Sequence, residues 1–91
     1  MPSGRLLDYA GPVLRAARED AGATQREIAD RAGSSTATVS RLENGQAIPS
    51  DQLIDAILDA YSVVTGIARL ELLERATAAW QRDEYGEVTG L

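Results

Sequence analysis

The sequence predicts an all-α domain, a compact bundle of five helices in which the second and third form a helix-turn-helix. Apolar residues recur at three- and four-residue spacing along most of the chain, and each such segment is framed by residues that cap or break helices. A chain of 91 residues can also bury only one modest core, for which a helical bundle is the economical solution.

The first helix is expected from about residue 9 or 11 to 21. Leu6, Leu7, Val13, Leu14, Ala17 and Ala21 follow helical spacing, Gly11-Pro12 belongs near a helix start, and Gly22 ends the segment. Thr24 then opens a T-x-x-E pattern with Glu27, the signature of a capping box, so a second helix begins there. It turns inward Ile28, Ala29 and Ala32 and closes at Gly33, whose backbone freedom suits a reversal.

Ser34 or Ser35 caps a third helix over roughly 35–44, with Val39 and Leu42 on its inner face and Asn44-Gly45 at its end. Ile48-Pro49-Ser50 forms a loop, and Ser50 caps a fourth helix bearing a wide apolar stripe of Leu53, Ile54, Ile57, Leu58 and Tyr61. The pattern breaks over 61–66. A fifth helix over about 65–82 then places Ile67, Leu70, Leu73, Ala76, Thr77 and Trp80 along one stripe, flanked by Leu72 and Ala79. By this division, residues 1–8 are a flexible arm, 9–62 the helix-turn-helix unit, 63–82 a C-terminal helix and 83–91 a frayed acidic tail.

Composition narrows the chemistry. With no cysteine and no histidine, disulfides, thiol nucleophiles, Cys/His zinc sites and imidazole acid-base catalysis are removed. The acids lie at helix-surface spacings without a metal signature, and Ser34 and Ser35 have no base to activate them, so an enzyme is disfavoured and no cofactor or metal is expected. No apolar run approaches the ~20 residues of a membrane span and no signal peptide opens the chain, so a cytoplasmic location without membrane contact is expected.

The net charge of −5 is unevenly spread. Residues 1–48 hold six arginines and six acids, whereas 49–91 hold three arginines and eight acids, which places the whole deficit away from the turn segment. All nine basic residues are arginine, the side chain whose planar fork grips phosphates and guanine edges with two hydrogen bonds.

The ordered set of capping box, small Ala29, turn Gly33, inner Val39 and Leu42, and the terminal Glu43-Asn44-Gly45 is more specific than any one of its members. Over residues 14–61 the chain resembles the xenobiotic-response-element helix-turn-helix domains, the Cro and phage-repressor family. Gly22-Ala23-Thr24-Gln25 is similar to the family's G-L-T-Q, and Ser40-Arg41-Leu42-Glu43-Asn44-Gly45 to its S-R-I-E-N-G, with Pro49 in the following loop.

The resemblance implies a DNA-binding bundle of the phage-repressor type that lays its third helix in the major groove. Thr36, Ala37, Ser40 and Arg41 would then face base edges, with Arg41 able to grip a guanine through two hydrogen bonds. Gln25 and Asn44, together with Thr24, Ser35 and Gln46, would meet the phosphate backbone, Gln25 aided by the positive end of the second helix. Arg18 and Glu43 match positions that the family pairs as a structural ion pair; breaking it would cost about 3–5 kcal/mol if buried. The chain departs from the pattern at Gln46-Ala47-Ile48, where basic residues are usual, and at Ala23, where a larger aliphatic is usual.

One recognition helix reads half a site, so proteins of this kind usually pair with their reading helices ~34 Å apart. The stripe of Ile67, Leu70, Leu73, Thr77 and Trp80 is the expected homodimer contact, with completion of the monomer core as the competing role. Arg5 in the N-terminal arm could reach a minor groove, although a disordered terminus is the simpler expectation. The function expected is sequence-specific binding of a double-stranded DNA operator by a homodimeric repressor, with no small-molecule ligand evident. The alternative is an antitoxin or anti-repressor-like module whose acidic C-terminal half binds a protein partner.

Overall fold

In the computed structural model, residues 6–46 and 50–81 are described, and they form five α-helices. The expectations for Arg5, for the Ile48-Pro49 loop and for the acidic tail lie outside the described residues. The helices are α1 Leu6–Asp20, α2 Gln25–Ala32, α3 Thr36–Glu43, α4 Asp51–Thr65 and α5 Arg69–Gln81.

α1 begins earlier than the sequence suggested, taking in three positions assigned to the arm and leaving Pro12 inside the helix. A proline there removes one ladder hydrogen bond and crowds the preceding turn. Pro12 is on the exposed side, where a loosened ladder meets water rather than core. The neighbouring Gly11 sets how closely this stretch packs on the rest. It is buried where α1 crosses the end of α3, and a Cβ built on it would stand 2.3 Å from the Leu42 carbonyl oxygen and 2.9 Å from that of Glu43. Only a glycine admits so close a crossing.

α2 and α3 follow their local signals. The Glu27 N–H donates to Thr24 Oγ1 at 3.1 Å and the Thr24 N–H donates to Glu27 Oε1 at 3.0 Å, completing the capping box. α2 ends in a Schellman motif. Gly33 adopts φ +68°, and the Ser34 N–H donates to the Ala29 carbonyl at 2.9 Å while the Gly33 N–H reaches that of Asp30. Ser35 caps α3 through the Thr38 N–H at 3.2 Å. At the far end Asn44 keeps a right-handed conformation and Gly45 alone takes the positive φ.

α4 runs through the expected interruption to Thr65. Ala60 and Tyr61 are needed in the core, and the Thr65 hydroxyl donates to the Tyr61 carbonyl at 2.6 Å, holding the last turn closed. The linker after Gly66 delays α5 to Arg69.

The core joins Leu14 and Ala17 of α1, Ile28 and Ala29 of α2, Val39 and Leu42 of α3, Ile57, Ala60 and Tyr61 of α4, and Leu72 of α5. α5 packs chiefly on α1, and this contact rotates it away from the expected stripe. Leu72, read as a flank, is buried with Ala76, whereas Leu70 and Leu73 are 68% and 39% exposed. Ile67 packs against the core, and Thr77 and Trp80 are half-buried. α5 carries apolar residues on several faces, so its own sequence does not select the buried one.

Candidate nucleic-acid interface

The roll of α3 is set by what it buries. Val39 and Leu42 are sealed in the core, and at 100° per residue this turns Ala37 and Arg41 outward with Thr36 and Ser40 beside them. Thr36, Ala37 and Arg41 are exposed and Ser40 is partly buried, so the structure brings the four onto one open face. Among the described residues no carboxylate stands within ion-pair distance of Arg41; Glu43, its nearest acid in sequence, is engaged elsewhere.

Glu43 is only 4% exposed, the one buried charged residue among those described. A lone carboxylate there would be prohibitive, and four donors compensate it. Arg18 grips it as a fork, Nε to Oε2 at 2.7 Å and Nη2 to Oε1 at 2.9 Å. Gln25 Nε2 donates to Oε1 at 3.0 Å, and the Tyr61 hydroxyl donates to Oε2 at 2.5 Å. Arg18 also donates through Nη1 to the Ala23 carbonyl at 3.0 Å. One carboxylate thus ties together α1, α2, α3 and α4.

The network shifts its members. Burial by itself pushes the Glu43 carboxyl up, but the hydrogen bonds from Arg18, Tyr61 and Gln25 together outweigh it, so the group lies below its ordinary value. The hydrogen bond to Glu43 raises Arg18, and burial, reinforced by the adjacent carboxylate, pushes the Tyr61 hydroxyl up. At neutral pH the cluster is an arginine cation, a carboxylate anion and a neutral phenol.

The residues assigned to phosphate contact divide. Asn44 and Gln46 are exposed at the end of α3. The Thr24 hydroxyl is committed to its cap, accepting from the Glu27 N–H and donating to Glu27 Oε1, and Ser35 Oγ caps α3 and bonds Thr38 Oγ1. What these helix starts offer a phosphate is therefore backbone N–H of the first turn more than hydroxyl. Gln25 is half-buried and turned partly inward, with one amide N–H held by Glu43.

Sequence reasoning missed three participants. Tyr61 was read as apolar stripe, yet a tyrosine in a buried position carries a hydroxyl that needs an acceptor, which was the available signal. The Ala23 carbonyl and the close crossing at Gly11 had none, because both depend on where α1 lies against α2 and α3. Among the described residues no group of acids is placed to hold a metal, and no helix is long and apolar enough to cross a membrane.

A protruding helix with an open polar face, set on a partner helix through a glycine turn and locked from beneath by a buried ion pair, defines a helix-turn-helix DNA-binding protein. The helix-turn-helix domain model matches residues 10–73, and the chain belongs to that family of DNA-binding domains. It is 37% identical over 83 residues to the transcriptional regulator ClgR of two Mycobacterium tuberculosis strains, CDC 1551 and H37Rv, covering 81% of this chain and 74% of theirs. Two crystal structures of the clp gene regulator ClgR from Corynebacterium glutamicum share its fold. One has a TM-score of 0.77 at 27% identity over 98% of this chain and 90% of that one; the other has 0.70 at 28% over 87% and 96%. The protein is a DNA-binding transcriptional regulator.

Proposed function

We propose that the chain acts in the cytoplasm as a homodimeric repressor that occupies an operator, inserting α3 into the major groove. The observation that carries this reading is the fixed roll of α3, which aims Arg41 and Ala37 away from the subunit while Val39 and Leu42 stay in its core. Arg41 reads a guanine, Thr36 hydrogen-bonds a base or touches a thymine methyl, and Ala37 makes an apolar contact. Gln25, Asn44, Gln46 and the first-turn N–H groups that follow the caps Thr24 and Ser35 hold the backbone.

Dimerisation through α5 is supported by Leu70 and Leu73, large apolar side chains left in water. Leu73 lines an apolar cleft of about 190 Å³ among α1, α3, α4 and α5, which widens the surface a second copy could cover. The competing role as a partner-binding acidic module finds less support, because Asp55 pairs with Arg69 and Glu71 with Arg75 across or along the helices.

Selection of bound duplexes from a random DNA pool at fixed salt tests the proposal. A two-fold symmetric consensus is the expected result; enrichment of no sequence over the starting pool would defeat it.

A further inference from the structure

We infer that Glu43 is a positioning residue for DNA binding, acting through Gln25: the carboxylate beneath the reading helix holds the Gln25 amide in one orientation at the start of α2. The inference rests on the proposed contact between Gln25 and the phosphate backbone.

The geometry is directional. Oε2 of Glu43 is filled by Arg18 Nε and the Tyr61 hydroxyl, and Oε1 takes Arg18 Nη2, so the carboxylate cannot rotate without breaking several bonds. What remains at Oε1 is an acceptor for one N–H of Gln25, at 3.0 Å. A carboxylate has no donor, so it accepts only the nitrogen end of the amide and excludes the flipped form that would turn the carbonyl oxygen inward. Among the described residues the second N–H of the same nitrogen has no partner. Gln25 is half-buried in the first turn of α2, beside N–H groups that no helical carbonyl takes, so this free N–H adds a donor to a cluster of donors.

A free glutamine spreads over many rotamers and both amide orientations, and ordering such a side chain on binding weakens association by about 2- to 10-fold. Glu43 removes that loss in advance. It makes the same buried residue both a strut of the fold and a part of the binding surface, although it is shielded from any ligand.

The test combines affinity and a spectroscopic readout. Wild type, Gln25→Ala, Glu43→Gln and the double variant are titrated with a 20-base-pair duplex of random sequence and with a selected one. The expected result is that each single variant weakens both duplexes by about 2- to 10-fold, that base preference is unchanged, and that the double variant binds no more weakly than Gln25→Ala alone. Additive losses, or Glu43→Gln binding as wild type while folded, would overturn the inference and leave the phosphate contact standing. Wild-type affinity in Gln25→Ala would instead remove the phosphate contact itself, and with it this role. Should Glu43→Gln not fold, nuclear magnetic resonance of wild type decides. One Gln25 side-chain proton is expected to be shifted and slow to exchange before DNA is added, with the second responding to DNA; a pair exchanging as freely as that of exposed Gln52 overturns the inference.

Discussion

The hydroxyl of Tyr61 donates a 2.5 Å hydrogen bond to Oε2 of Glu43, tying the C-terminal part of α4 to the last turn of α3. The bond puts a neutral donor against a buried carboxylate already gripped by Arg18, so it both completes the charge compensation and fixes where α3 ends. Tyr61→Phe keeps the ring in the core and deletes only the donor. Unfolding in urea should show a loss of about 1.5–3 kcal/mol, the worth of a hydrogen bond to a charged group, with the helical signal of the native state unchanged.

Acid should weaken the fold through Glu43. Its carboxyl lies below the ordinary value of 4.5 in the native state, so the unfolded chain takes up the proton more readily. The stability it contributes is full above that value and is lost as pH falls through it toward the native one. The urea midpoint should therefore drop more steeply in wild type than in Glu43→Gln as pH falls below 4.5; parallel profiles would contradict the assignment.

Gly11→Ala should be among the most damaging small substitutions. The added methyl would meet two backbone carbonyl oxygens, at 2.3 Å and 2.9 Å, and a backbone cannot step aside as a side chain can. A destabilisation of about 1–3 kcal/mol is expected from overpacking, outweighing the gain an alanine usually brings to a helix. Thermal unfolding measures it.

Arg41→Ala should leave stability within ~0.5 kcal/mol, as for an exposed position, and change what is read. Discrimination at one base pair per half-site should fall by about 1–3 kcal/mol. Competition binding with single-base variants of the selected duplex checks this, and an equal loss at every position would move Arg41 from base to backbone.

On α5, two leucines one position apart should behave in opposite ways. Leu72→Ala should cost about 2–5 kcal/mol because it empties a core site. Leu73→Asp should leave the monomer folded and lower the mass seen by sedimentation equilibrium, as should Leu70→Asp. A mass unchanged in both aspartate variants would rule out the α5 contact between copies.

The sequence by itself determined what local chemistry controls. The capping box of Thr24 and Glu27, the turn at Gly33, the serine caps of α3 and α4, and the inward Ile28, Ala29, Val39 and Leu42 depend on residues within one or two turns of each other. Those same residues fix which face of α3 is open, so the exposure of Thr36, Ala37 and Arg41 was legible too. The tertiary structure decided whatever depends on a distant neighbour: the passage of α1 through Pro12, permitted by its solvent side and anchored by Gly11 on α3; the face that α5 buries, chosen by α1; and the inward turn of Gln25, whose acceptor lies 18 residues away. Helix periodicity and caps are short-range, whereas the burial of a charge is stable only where several helices deliver their donors to one point.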